Sequence, residues 1–349
     1  MKKWRSIGLT GVLAVGALVS TLLLGGCGSN TNEATGEGLA VVTTVYPAYD
    51  IAKQVGGDKV QVTMLVPPGT EPHDWEPTVK DLKAVGKAKV FIYNGAGLEP
   101  TEKLLTPDII KDAKTVELAS AVDVLPITTT ELTSEGEAAH HDHEGEAHHN
   151  HQHKDSPQPA TEAQEEAEHD HHHGSVDPHI WLNPMNVAKE VDVVVKAFSE
   201  ADPANQAYYE ANGKAYKEKL AALDTAYKAF ADQVSNKELV VTHEAFGYLA
   251  NQYGFTQIGI MGIAPDAEPT PERMAAIISF VKAHQVKAIF SEELVNPKLA
   301  NAIATETGAK VYKLNPVEGL TEAQMQNGET YLSIMTQNLT VLREALGVK

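Results

Sequence analysis

The sequence predicts an α/β protein built from two (βα)₄ lobes, each with a parallel four-stranded sheet, joined by a long connecting helix. Three observations carry this expectation. Short runs rich in β-branched residues alternate with helical segments from Leu39 to Leu118, and the same alternation restarts from Leu239 to Leu346. Between the two blocks lies a stretch with helical character and no strand signal. A length of 349 residues suits two domains.

Leu39 to Tyr46 (LAVVTTVY) is short and β-branched, as a buried strand should be. A helix from Ala48 to Val55 stops at Gly56-Gly57. Val60 to Val66 forms a second strand, ended by Pro67-Pro68-Gly69, and the loop GTEPHDWEPT leads to a helix near Val79 to Lys87. Val90 to Tyr93 and Thr115 to Leu118 supply the third and fourth strands. Two helices should follow VDPHIWLNP, the second opening at Asp202-Pro203, where aspartate caps and proline fits the first turn. It continues to about Ser235, and some thirty residues at about 1.5 Å each span roughly 45 Å, enough to cross a lobe. Gly213 inside it costs about 1 kcal/mol relative to alanine. Strands then recur at Leu239 to Thr242, Gln257 to Ile260, Lys287 to Ser291 and Lys310 to Leu314. Helices from Ala245 to Gln252, Pro271 to His284, Pro297 to Thr307 and Glu322 to Leu346 alternate with them.

The N-terminus reads as an address. Lys2, Lys3 and Arg5 precede a mostly apolar run from Ile7 to Leu24, which taken alone would also suit a membrane anchor helix. Cys27, the single cysteine, follows Leu24-Gly25-Gly26 directly. This pattern resembles a bacterial lipobox, in which the cysteine is lipid-modified and becomes the first mature residue. Residues 1–26 are therefore expected to be a lipoprotein signal peptide and 27–38 a flexible tether, with the rest extracytoplasmic and lipid-anchored to the bacterial cell membrane. One cysteine allows no disulfide within the chain, so stability must come from packing. A formal charge of -19 argues against nucleic acid, whose phosphates need a basic stripe, and favours attraction of cations.

Domain boundaries follow: an N-terminal lobe from 39 to 185, a helical connector from 186 to 236, and a C-terminal lobe from 237 to 349. Within the first lies a segment, 131–177, with few apolar residues to anchor a core. It holds His140, His141, His143, His148, His149, His151, His153, His169, His171, His172 and His173, eleven of the fifteen histidines, interleaved with acids. Such a run cannot bury enough surface to offset its ordering entropy and reads as a disordered loop. Its neutral imidazoles are ligands for zinc, copper or nickel, which makes accessory metal capture the functional reading and a solvated linker the bland one.

Only His73, His179, His243 and His284 lie elsewhere. His73 and His243 fall beyond the carboxyl ends of predicted strands, where open parallel sheets bind ligands. His73 sits in Glu71-Pro72-His73-Asp74-Trp75 and His179 in Asp177-Pro178-His179-Ile180-Trp181, nearly one device used twice. An acid beside an imidazole can accept its second N–H and fix its tautomer. His284, inside a helix, reads as a surface residue. A closed tetrahedral site needs a fourth ligand. Glu292 and Glu293 after the third strand of the second block, and Glu318 after the fourth, are all placed to serve; Pro316 stiffens the loop of Glu318 and tilts the choice toward it.

EPHDWEPT, DPHIWLNP, THEAFGYLA and LNPVEGLT, in that order behind a lipobox, resemble the zinc-binding members of the cluster A-I solute-binding proteins of ABC transporters. The resemblance covers the whole mature chain. It implies a rigid connecting helix and a metal site in the interlobe cleft, with His73, His179, His243 and Glu318 as ligands. It implies Zn²⁺ as the transported ligand and the permease and ATPase subunits of an ABC importer as partners, for a protein expected to be monomeric. Manganese binders of the group usually carry glutamate where this chain has His243, and three imidazoles with one carboxylate suit zinc better. A manganese receptor and an added adhesin role are the alternatives. A secreted zinc hydrolase, with Glu244 as its base, is disfavoured because neither H-E-x-x-H nor G-x-S-x-G occurs.

Overall fold

The computed structural model describes residues 38–111, 113–127, 130–132, 138–139, 175–265 and 268–348. The expected signal peptide, Cys27, the tether up to residue 37 and all eleven histidines from His140 to His173 lie outside them. Among the described residues no helix is long and apolar enough to cross a membrane.

The first half comprises β1 (Leu39–Thr43), α1 (Tyr46–Gly56), β2 (Val60–Met64), α2 (Val79–Val85), β3 (Val90–Tyr93), α3 (Thr101–Leu104) and β4 (Lys114–Glu117). Its four strands make a parallel sheet in the order β2-β1-β3-β4. A short antiparallel pair, β5 (Glu131–Leu132) and β6 (Ala138–Ala139), comes next, followed by α4 (Pro184–Ala201) and α5 (Gln206–Ala231). The second half comprises β7 (Glu238–Val241), α6 (Gly247–Tyr253), β8 (Thr256–Gly259), α7 (Pro271–Ala283), β9 (Ala288–Ser291), α8 (Lys298–Thr307), β10 (Lys310–Lys313), α9 (Glu322–Gln326) and α10 (Tyr331–Ala345). Its sheet, read as β8-β7-β9-β10, is also parallel and repeats the order of the first. In both halves the strand that comes first in sequence is central, and the crevice where strand order reverses opens at its carboxyl end.

The strands are short because glycine, proline and capping residues punctuate them. Thr78 and Asp81 cap α2 reciprocally, Asn183 accepts from the Met185 N–H ahead of Pro184, and Thr270 caps α7 before Pro271. The expected closing helix from Glu322 to Leu346 is instead two helices. Gly328 adopts φ 71°, and Thr330 with Ser333 opens a new helix just beyond it. The expected aspartate cap at Asp202 also differs: its carboxylate accepts from Asn205 Nδ2 and the Tyr209 hydroxyl, and a 3₁₀ turn at Pro203–Asn205 precedes α5.

The segment 131–177, expected as loop throughout, is ordered at both ends. Leu132 packs on the smaller core of the second half, the Thr130 hydroxyl donates to the Gln257 carbonyl, and Arg273 donates to the Thr130 carbonyl. Residues 125–127 pair with 175–177 through Ile127 N to Ser175 O at 3.1 Å and Asp177 N to Leu125 O at 2.8 Å. Composition misses this because a few backbone hydrogen bonds and one leucine suffice to pin a chain that is otherwise polar. The neck of the histidine-rich segment therefore stands on the second half and reaches Asp177.

α5 ties the two halves together. Near its start, Asn212 donates to the Val55 carbonyl and Tyr216 to Asp50, both in α1; near its end, Tyr227 donates to the Met335 carbonyl in α10. One continuous core runs from the first sheet through α4 and α5 to β7 and α10, while a smaller core lies under α7 and α8. Gly213 has a packing role here. A Cβ at that position would lie 2.5 Å from Val195 Cγ2 of α4, and valine is stiff at χ1 in a helix. Gly213→Ala is accordingly expected to destabilise the fold by about 1–3 kcal/mol despite better helix propensity, read as a lower urea midpoint. A gain in stability would show that helix propensity, not close approach, governs the position.

Candidate metal centre

Four side chains converge where the two halves meet. His73 comes from the loop after β2, His179 from the crossing before α4, His243 from the end of β7 and Glu318 from the loop after β10. Their donor atoms all lie within 4.8 Å of one another and every one is buried. His73 Nε2 and His179 Nε2 are 3.1 Å apart. Glu318 Oε1 lies 2.8 Å from His179 Nε2, 3.0 Å from His243 Nε2 and 3.9 Å from His73 Nε2. Three imidazoles and one carboxylate aimed at one point form a donor set able to hold a single metal ion.

Local chemistry explains how each is aimed. In Glu71-Pro72-His73 and Asp177-Pro178-His179 the acid accepts from the backbone N–H of the histidine two residues on, at 3.4 and 2.9 Å. The intervening proline fixes the turn; a 3₁₀ turn spans Pro72–Asp74 at the first site and Ile180–Leu182 at the second, and a buried tryptophan, Trp75 or Trp181, lies two residues past each histidine. Asp177 Oδ1 also lies 2.7 Å from His179 Nδ1, so Nε2 faces the centre. His243 has its Nδ1 2.7 Å from Glu292 Oε2 and likewise presents Nε2. Asp74, the other acid beside His73, is exposed.

The loop carrying Glu318 is clamped. Asn338 brackets Asn315 by accepting from its N–H and donating to its carbonyl, and the Asn315 side chain accepts from the Val317 N–H at 2.7 Å. Val317 is fully buried with φ 62°, a conformation that a β-branched residue keeps only when its surroundings enforce it. Bonds from elsewhere supply that enforcement: Trp181 Nε1 donates to the Pro316 carbonyl, Tyr46 N to Glu318 O and Gly69 N to Leu320 O.

Of the three acids weighed as fourth ligand, Glu318 joins the cluster, Glu292 stands behind His243, and Glu293 is exposed at a small recess shared with Glu71 and Glu318. His284 caps the end of α7, stacked on Phe280 and 3.4 Å from Glu238. Glu244 is buried beside Gly259, which leaves the room its side chain fills, and lies 4.0 Å from Arg273.

Burial and mutual charge set the protonation of the cluster. Burial holds His73 below the ordinary imidazole value, against the raising effect of Glu318. Burial acts the same way on His179, but the carboxylates of Asp177 and Glu318 outweigh it and push the ring up to about 9. His243 is likewise raised well above the ordinary value, Glu292 and Glu318 overcoming its burial. Glu318 lies well below the carboxylate range: burial opposes ionisation, and the His243 and His179 rings reverse it.

The family model described as zinc-uptake complex component A, periplasmic, matches residues 41–345. The high-affinity zinc uptake system protein ZnuA of Bacillus subtilis (strain 168) is 36% identical over 356 residues, covering 100% of this chain and 99% of that protein. The zinc-binding lipoprotein AdcA of Streptococcus pneumoniae serotype 4 is 36% identical over 94% of this chain, which spans only 59% of AdcA. Its ZnuA-like domain, solved with Zn(II) bound, superposes with a TM-score of 0.68 at 33% identity, covering 88% of this chain and 99% of that one. Matched from Val41 to Ala345, with two parallel four-stranded sheets around a buried three-histidine, one-glutamate cluster, the chain belongs to the ZnuA family of zinc-uptake components.

Proposed function

We propose that this protein is an extracytoplasmic zinc receptor, lipid-anchored through Cys27, that captures Zn²⁺ on His73, His179, His243 and Glu318 and delivers it to an ABC importer. The convergence of four buried donors from both halves of the molecule carries the reading. Three nitrogens and one oxygen fit the preference of zinc for borderline ligands in a tetrahedral shell, and disfavour manganese. Four protein ligands close the shell, leaving no position for a reacting water, so the protein binds and releases without catalysis. Glu244, the one tempting general base, packs against Gly259 near Arg273 and is not among the four converging donors, in keeping with that reading. The permease and ATPase subunits of the importer are the partners, and the receptor acts as a monomer. Movement on binding is modest, because α5 and a continuous core span both halves.

The histidines from 140 to 173 act as an accessory collector. Their neck is tied to the site: the Tyr248 hydroxyl accepts from Leu125 N–H and donates to the Asp177 carbonyl, and Asp177 holds His179. Zinc titration of the mature chain beside a variant lacking residues 140–173 tests the division of labour. One tight site is expected in both, with only weaker equivalents lost on deletion. Loss of all tight binding in the deletion variant would move the primary site into that segment.

A further inference from the structure

The equal strand orders of the two halves allow a position-by-position comparison. Val66 N donates to the carbonyl of Thr44 at the end of β1, and Met261 N to that of Thr242 at the end of β7, so the two threonines are topological equivalents. Each hydroxyl donates to a buried glutamate that follows the third strand of its sheet: Thr44 to Glu99 and Thr242 to Glu292. In the first half Glu99 spends its remaining capacity on backbone, accepting from Asn94 N at 2.7 Å and Gly95 N at 3.0 Å. In the second half Glu292 accepts from His243 N at 3.3 Å and places Oε2 2.7 Å from His243 Nδ1. Glu99 therefore shows what this position does as architecture alone.

We propose that Glu292 is the positioning residue of the metal centre: fixed by the Thr242 hydroxyl, it holds the His243 ring with Nε2 toward the cleft and strengthens that nitrogen as a donor. An imidazole that gives its second N–H to a carboxylate is locked in tautomer and orientation and becomes a better base. An amide in its place makes a neutral and weaker hydrogen bond. Thr242 matters because a carboxylate free to rotate would lose the aim that the hydroxyl imposes.

The proposal rests on the zinc-receptor reading, and four variants of the mature chain separate the two. Zinc affinity by chelator competition, the visible bands of the Co²⁺-substituted protein and the melting temperature without metal are measured for each. Glu292→Gln is expected to bind zinc roughly 10- to 100-fold more weakly and to shift the cobalt bands. Thr242→Val, which leaves the carboxylate in place, is expected to weaken zinc several-fold with a band shift in the same direction, and it serves if Glu292→Gln does not fold. Glu99→Gln is expected to lower the melting temperature and leave the cobalt bands where they are. Zinc affinity of Glu292→Gln or Thr242→Val within about twofold of the parent, or equal band shifts in Glu99→Gln, would overturn the proposal. If His243→Ala also keeps its zinc, the receptor site itself falls; if His243→Ala loses zinc while the Glu292 and Thr242 variants keep it, only the role of Glu292 falls.

Discussion

His243→Ala is expected to lose tight zinc binding, by roughly a hundred- to several-thousandfold in affinity. The substitution removes one of four donors and strands Glu292, whose Oε2 lies 2.7 Å from His243 Nδ1 in a buried setting. Stranding one side of such a buried pair costs stability, about 3–5 kcal/mol, whereas the lost donor costs affinity, by more than the roughly 100-fold that losing a ligand's outer partner can. Competition against a chelator of known affinity measures the loss, and circular dichroism confirms that the fold survives. A variant that still binds one zinc as tightly as the parent would show that the cluster is not the primary site. His284→Ala, the matched comparison outside the cluster, is expected to bind as the parent does, since that ring stacks on Phe280 at the end of α7.

Zinc affinity is expected to rise steadily from pH 7 to 9, and binding at pH 7 to release about two protons. Free imidazole chemistry alone places the loss of binding below about pH 6. The structure moves that window upward, because Asp177 and Glu318 push His179 up to about 9 and Glu292 and Glu318 raise His243 further. Without metal, both rings are therefore expected to carry protons at pH 7, held around Glu318, whose carboxyl lies well below its ordinary range. One Zn²⁺ replaces two H⁺, so the charge of the site is unchanged and zinc competes against protons. Each proton displaced makes affinity climb by up to about tenfold per pH unit until its ring is neutral. The same linkage acts on stability with a definite sign. His179, raised on folding, stabilises the metal-free protein fully below the ordinary imidazole value near 6.5 and loses that contribution as pH rises through about 9. Titration calorimetry in buffers of different ionisation enthalpy counts the protons. A flat affinity between pH 7 and 9 with less than one proton released would mean that both rings are neutral before zinc arrives.

Much of this molecule is legible in the chain. β3 from Val90 to Tyr93 falls where four apolar residues predict it, and the helix starts at Pro184 and Pro271 carry proline and polar caps visible in sequence. His73, His179 and His243 stand out because other histidines outside the rich segment are so few and because strand ends in parallel sheets are where ligands bind. Local chemistry is written locally: the acid-proline-histidine turn at Asp177 to His179 works through bonds between residues two apart.

What the chain order does not express is which strand ends become neighbours. Residue properties alone leave Glu292, Glu293 and Glu318 nearly even, because each follows a strand of the same sheet. Parallel pairing of β7 with β9 sets Glu292 behind His243, and the turn at Val317, forced by Trp181, Tyr46 and Asn315, swings Glu318 to the front. Gly213 reverses in meaning for the same reason, a helix defect in one dimension and a contact surface for Val195 in three. Sequence by itself determined the two repeated α/β blocks and the residue types of a zinc site, since periodicity, capping and ligand chemistry act over a few residues. Tertiary structure alone decided which acid braces His243, how the turn at Val317 aims Glu318, and in which direction burial and neighbouring charge push each ring, since those depend on distances between residues some 50 to 140 positions apart.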